Sequence, residues 1–252
     1  MKIEYGLNWR FNKDLKTIAM RSDVKKICDI GGGANPLLSL DFIKKHGLDY
    51  TVLDINEEEL AKAPDEYRKI KADITDQNLD IDLGGYDLVI SKFLAEHVSS
   101  GYLFHKNVLS LLREDGYAFH VFPTLYDLPF LLNRITPGNL SESLLLSIAP
   151  HRTKEGNQSK FPAYYNWCTG PTKTQIARFE NLGYAVESYV GLYGAPYLSK
   201  IPLIGRLKMW LAQQLIKHPI PWLTSYAQIL LRKKNPSNHK QINSDFFAVK
   251  ND

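Results

Sequence analysis

A chain of 252 residues, 44% hydrophobic and 23% charged, can bury one substantial core. It has no apolar run long enough to cross a bilayer and no N-terminal signal-peptide pattern; its two cysteines, Cys28 and Cys168, match no metal spacing, so a reducing cytoplasm is expected and no metal site. The net charge of +4 is unevenly laid out: residues 1–123 carry 16 Lys/Arg against 20 Asp/Glu and residues 124–252 carry 15 against 7, so the C-terminal part favours phosphate, sugar acids or a lipid surface, or else forms a solvated basic face.

In chain order, the first 123 residues alternate apolar strands with helices. Strands are expected at Ile27–Ile30, Tyr50–Leu53, Tyr67–Ala72, Tyr86–Ser91 and Tyr117–Phe122, with helices at Pro36–Lys45, Glu57–Ala63 and His105–Arg113. Near-continuous apolar strands separated by helices imply a parallel sheet covered on both faces. Residues 124–170 and 193–223 are irregular, apolar and basic, and are expected to roof one end of the sheet as cap inserts. Between them lie a helix at Thr172–Leu182 and a strand at Tyr184–Val190; Ser225–Arg232 is a last strand, and 235–252 a polar tail. The expected architecture is one α/β domain spanning 1–252, Rossmann-like, with a seven-stranded sheet, mostly parallel, its last strand antiparallel.

The run Cys28-Asp29-Ile30-Gly31-Gly32-Gly33-Ala34-Asn35-Pro36 carries the clearest chemistry. Three glycines let the backbone pass close under a ligand, and amides at a following helix start favour an anionic group. A dinucleotide fingerprint needs glycine at the sixth position of this turn, where Pro36 stands. Ligands of open α/β sheets bind at the carboxyl ends of the strands. Four successive strand ends here carry polar groups: Asp29 with the glycines, then Asp54, Asp73 and Ser91-Lys92. Asp54 lies where an acid accepts two hydrogen bonds from a ribose diol. Taken singly, each acid also suits a turn or a helix cap.

These motifs resemble those of class I S-adenosylmethionine-dependent methyltransferases. Asp29–Pro36 is similar to the first motif, Val52-Leu53-Asp54-Ile55-Asn56 to the acid after the second strand, and Lys71-Ala72-Asp73-Ile74-Thr75 to the segment that reads adenine. Tyr86–Ser91 with Ala95-Glu96-His97-Val98 resembles the fourth-strand motif, and Leu111–Tyr117 the turn before the fifth strand, without its proline and second glycine. The resemblance covers 24–123 and, more weakly, 172–232. It implies S-adenosyl-L-methionine as cofactor, held by Asp29 at the ammonium, by the backbone at Gly31, Gly32 and Gly33, and by Asp54 at the ribose. It also implies Asp73 at the adenine amino group, Ile55 and Ile74 on the ring, and Ser91 and Lys92 near the sulfonium.

An alcohol acceptor benefits from a general base, for which His97, His120 and His151 are the candidates. Acceptor contacts are expected from Arg152 and Lys160 toward anions and from Tyr164, Tyr165 and Trp167 toward sugar faces, unless these aromatics only fill a cap. The layout resembles, more loosely, methyltransferases of bacterial polysaccharide and glycolipid biosynthesis. Residues 203–217 put Ile204, Leu207, Leu211 and Leu215 along one helical stripe, with Trp210 nearby and Arg206, Lys208 and Lys217 largely elsewhere. That stripe suits peripheral contact with an anionic membrane, or packing on the cap or at a dimer contact. Competing readings are a natural-product or lipid-like acceptor, a non-catalytic cofactor-binding module, and a nucleic-acid methyltransferase. The last expects an acceptor motif after the fourth strand that Ser91-Lys92-Phe93-Leu94 is not, so no nucleic-acid partner is expected.

Overall fold

A computed structural model describes residues 1–79, 85–125, 162–194 and 202–235. It contains eight strands, β1 Lys2–Gly6, β2 Lys26–Ile30, β3 Asp49–Asp54, β4 Arg68–Lys71, β5 Tyr86–Lys92, β6 Leu112–Pro123, β7 Tyr184–Leu192 and β8 Tyr226–Lys233. The helices are α1 Phe11–Ala19, α2 Leu40–His46, α3 Glu57–Lys62, α4 Gly101–Leu111, α5 Lys173–Leu182 and α6 Pro202–Lys217, followed by a 3-10 turn at Pro221–Leu223.

The strands form one sheet in the order β1-β7-β8-β6-β5-β2-β3-β4. Only β8 runs against its neighbours, pairing antiparallel with both β6 and β7. All seven expected strands are present, and β1 is the eighth. Its Lys-Ile-Glu-Tyr-Gly sequence is too short and too charged to read as a strand alone. It forms by adding to β7 in parallel register, Lys2 opposite Ser188 through Gly6 opposite Leu192, and Tyr5 stacks on Tyr193 at 5.8 Å. The Lys2–Glu4 ion pair charges this edge, which discourages pairing with further chains. Helix α1, likewise unexpected, buries Phe11, Leu15 and Ile18.

Apolar side chains fill both faces of the sheet. One core gathers Phe104, Val108, Phe179, Tyr184 and Tyr189, largely under α4 and α5; the other gathers Phe11, Leu15, Ile43, Val52 and Phe119 under α1 and α2. The helix expected from Pro36 starts instead at Leu40, with Ser39 as its cap. The intervening amides go elsewhere: Leu37 N–H donates to Asp29 Oδ2 at 2.8 Å and Leu38 N–H to the Tyr50 hydroxyl at 3.3 Å. Side-chain acceptors thus hold this segment out of the helix. The expected His105–Arg113 helix runs over Gly101–Leu111, because Leu112 already pairs with Tyr86 at the start of β6.

The chain steps from β2 through β3 to β4 on one side, then crosses to β5 on the other side of β2. The reversal leaves a crevice at the carboxyl ends of β2 and β5, the place where open α/β sheets bind ligands.

Candidate functional site

The floor of that crevice is the turn Gly31-Gly32-Gly33. Gly31 and Gly33 have φ of +75° and +39°, a region costly for residues with a Cβ. Gly32 is needed for space: a Cβ there would lie 2.8 Å from Asp29 Oδ2 and 3.0 Å from Val52. A Cβ on Gly33 would lie 2.9 Å from Asp54 Oδ2, and one on Gly31 3.1 Å from Leu94, in the loop after β5. The glycines therefore bring the ends of β2, β3 and β5 into one small space.

Asp29 is fully buried. Its Oδ2 accepts from Leu37 N–H and, at 2.6 Å, from the Tyr50 hydroxyl, while Oδ1 has no partner. Burial pushes its pKa up to about 6 against the opposing pull of Tyr50 and Leu37, and the nearby Asp54 charge adds to the rise. An unpaired buried carboxylate oxygen is costly, and a cationic donor is its natural complement. Asp54 is half-buried; its Oδ1 accepts from Asn56 N–H at 2.9 Å, and burial raises its pKa. The orphan oxygen and the space that only glycine leaves open fit the ammonium and ribose ends of the expected cofactor.

Asp73 follows β4 and is exposed. It is tied to the β3 end through Ala72 N–H, which donates to Asp54 O at 3.0 Å. Its Oδ1 accepts from both the amide and the hydroxyl of Thr75. Asn107 of α4 donates to the carbonyls of Ile74 and Asp76, which fixes this loop. Of the two expected ring contacts, Ile55 stands 59% exposed at the crevice, whereas Ile74 packs into the core beneath α4.

The ends of β5 and β6 require corrections. Ser91, expected near the sulfonium, is fully buried and its hydroxyl is paired with His120 Nδ1 at 2.8 Å, so its side chain is committed to the core. Lys92 points to the opposite face, its ammonium 5.9 Å from the Phe11 ring and 5.7 Å from that of Phe93. His120 lies in the core among Phe104 and His105, and burial lowers its pKa to about 3. An imidazole held neutral that firmly is a poor proton acceptor, so the placement argues against its expected role as base.

His97 lies in the loop after β5, three residues beyond the Leu94 that touches the glycine turn. Its Nδ1 is 3.0 Å from the carbonyl oxygen of Pro162. A carbonyl only accepts, so the ring proton sits on Nδ1, and in the neutral ring Nε2 carries the lone pair. Glu96 Oε1 is 3.7 Å from that Nε2. Burial pushes the Glu96 carboxyl up to about 8, and its Oε2 has no hydrogen-bond partner. Glu96 was not singled out from sequence; its adjacency to His97 in the Glu-His-Val motif was the available signal.

The acceptor-side residues divide. His151, Arg152 and Lys160 lie outside the described residues. Tyr164 and Tyr165 donate backbone N–H groups to Glu96 O at 2.7 and 3.1 Å, which clamps the 162–169 loop onto the 93–100 loop. Asn166 adds a hydrogen bond to the Ser99 carbonyl. Tyr164 is exposed and Tyr165 buried; Trp167 stacks on His105 at 5.7 Å with one face toward the core. Tyr165 and Trp167 nonetheless line a cavity of about 340 Å³ together with Thr172, Gln175, Arg178 and Trp222. Arg178, 5.9 Å over the Trp167 ring, donates to Gln175 Oε1 at 3.2 Å. Arg178 and Trp222 reach this wall only through the fold, from α5 and from the turn before β8.

The 203–217 stripe is split. Leu215 is buried with Ala212 against Tyr193, Tyr5 and Leu7, whereas Leu207 and Leu211 face outward beside Trp210. Among the described residues no helix is long and apolar enough to cross a membrane, and no cluster of three or more His, Cys, Asp or Glu is placed to hold a metal ion.

A family profile described as a methyltransferase domain matches residues 10–189. Among solved structures, a SAM-dependent methyltransferase from Archaeoglobus fulgidus is 16% identical with a TM-score of 0.52, over 88% of this chain and 94% of that one. A structure titled a sarcosine dimethylglycine methyltransferase from Galdieria sulphuraria is 12% identical with a TM-score of 0.52, over 89% and 84%. The [4+2]-cyclase SpnF is 12% identical with a TM-score of 0.54, over 88% and 80%. These likenesses establish the fold; the cyclase among them indicates that the fold by itself does not fix the reaction. No curated protein gives a significant match.

Proposed function

This chain belongs to the methyltransferase-domain family and is an S-adenosylmethionine-dependent methyltransferase; from that premise we propose that it methylates a hydroxyl oxygen of a saccharide or related small molecule. The observation that carries the acceptor half is the cavity walled by Trp167 and Trp222 and bearing Arg178, whose lining residues Tyr165 and Asn166 are hydrogen-bonded to the 93–100 loop. Aromatic faces pack on sugar rings, and a guanidinium pairs with a carboxylate or phosphate in two-point geometry.

When bound, the cofactor supplies a methyl carbon already activated by its sulfonium. The protein then has to hold, align and desolvate. Asp29 Oδ1 would accept from the cofactor's ammonium, the Gly31–Gly33 backbone would give it room, and Asp54 would accept from the ribose diol. Asp73 accepts at the adenine end, with Ile55 as the ring contact. His97 Nε2 would accept the proton of the acceptor hydroxyl, and the 162–169 loop would exclude water. Peripheral membrane contact through 203–217 is compatible with this reading and independent of it, at a site facing the cytoplasm.

The test is transfer of labelled methyl from S-adenosylmethionine to uronates and sugar phosphates, run beside neutral phenols. Arg178→Ala is expected to raise KM for the anionic sugars by about tenfold with kcat little changed, the loss of one charge-assisted contact. Turnover of phenols alone would move the acceptor to the natural-product class. Cofactor binding without transfer to any acceptor would favour a non-catalytic module.

A further inference from the structure

Helix α6 and the turn after it both carry exposed apolar side chains. Leu207, Trp210 and Leu211 lie at i, i+3 and i+4, and Leu207 and Trp210 are 64% and 57% exposed. The stripe points away from Ala212 and Leu215, which seat the helix on Tyr193. Ile220, Trp222 and Leu223 of the turn extend it, each exposed by more than two-fifths. One residue holds both parts in register. The Tyr193 ring packs on α6, while its hydroxyl donates to Ile220 O and accepts from Ile220 N–H, each at 3.0 Å. Gly170 fixes the turn from the other side, because a Cβ there would collide with the Pro221 carbonyl.

The charge of this region selects the occupant. Helix α6 carries Arg206, Lys208 and Lys217 and no Asp or Glu. Arg206 and Lys217, both exposed, border the stripe. A second copy of the chain would bring this positive face against itself, whereas an anionic bilayer offers the opposite charge and an apolar layer for the side chains. Two tryptophans at the rim suit the headgroup level, where an amphipathic ring has both surroundings.

Trp222 belongs to this face and also to the wall of the acceptor cavity. The geometry points to α6 and the Pro221–Leu223 turn as a docking face for an anionic membrane surface, from which the adjoining cavity takes the polar headgroup of a lipid-anchored acceptor. The second clause rests on the saccharide reading; the first stands without it.

The test is co-flotation of the purified full-length chain with phosphatidylcholine vesicles, with and without phosphatidylglycerol, beside calorimetry with S-adenosylhomocysteine. The expected result is uptake by anionic vesicles only, weakened by salt and reduced at least about tenfold in Leu207→Glu, whose side chain already faces water. The variant should bind S-adenosylhomocysteine as the parent does. No vesicle uptake by protein that binds S-adenosylhomocysteine normally overturns the docking face and leaves the methyltransferase reading intact; failure to bind the nucleoside removes that reading instead. Equal uptake by neutral vesicles, or uptake unchanged in Leu207→Glu, also overturns the proposal. Leu207-dependent self-association in sedimentation, without vesicle binding, would assign the face to a second copy.

Discussion

Cofactor affinity should rise with pH through the titration of Asp29. The carboxyl is fully buried, its Oδ2 is committed to Tyr50 and Leu37, and burial places its pKa at about 6. Only the ionised form offers Oδ1 as a full anionic acceptor to an ammonium. About one unit below that value roughly one carboxyl in ten is ionised, so the affinity for S-adenosylhomocysteine at about pH 5 should be about tenfold below its plateau. The total fall is bounded by the worth of one ionic hydrogen bond, about 1.5–3 kcal/mol. The ligand's own α-amino and α-carboxyl groups titrate outside this window, and the Tyr50 pKa is raised well above its ordinary value. Asp54 is also raised, so Asp54→Asn is the control that should keep the slope.

The same shift has a stability sign. A carboxyl whose folded pKa lies above its unfolded value contributes stability below about 3.8 that is lost as pH rises through about 6, on the order of 3 kcal/mol for this group. Asp29→Asn keeps a carbonyl acceptor for Tyr50 and Leu37 without a buried charge. It should therefore melt higher than the parent at about pH 7 while binding S-adenosylhomocysteine at least about tenfold more weakly and with no pH slope. Calorimetry across this range and a melting curve read both effects. A slope that persists in Asp29→Asn, or parent affinity that is flat with pH, refutes the assignment of the ammonium to this carboxylate.

Asp54→Ala should lower cofactor affinity by at least about tenfold, from the loss of two charge-assisted hydrogen bonds; unchanged calorimetry would sink the ribose assignment. His97→Asn should reduce kcat by about 100-fold or more with cofactor affinity preserved, and a kcat within a few-fold of the parent would show that no base acts there.

The motif that shapes the glycine crevice is legible in sequence because it is local. Asp29, the three glycines and Asp54 lie within one strand-turn-helix-strand unit, and β2–β3 pairing brings them together by short connections. The details that escaped depend on distant partners. Pro36 looked like a helix start, but the Asp29 carboxylate and the Tyr50 hydroxyl take the amides of 37 and 38, and no local pattern encodes that. Ser91 reads as a polar strand-end group and His120 as a candidate base within a strand; parallel pairing of β5 with β6 makes them neighbours that pair with each other in the core. β1 has too few apolar residues to announce itself and exists because β7 offers an edge.

The proposed acceptor side is non-local throughout, which is the physical reason a sequence shows little of it. Its cavity joins Trp167 from a loop, Arg178 from α5 and Trp222 from the turn before β8, residues separated by up to 55 positions in sequence. Tyr165 and Trp167 were expected there as stacking groups, yet Trp167 spends one face on His105 and Phe179, so a single ring serves as core and as cavity wall. The apolar stripe of 203–217 divides in the same way: period alone groups Leu215 with Leu207, but Tyr193 draws one of them inward and leaves the other outside. Where one element must both anchor itself and present a surface, hydrophobic period counts the apolar positions without saying which of them the neighbouring chain will cover.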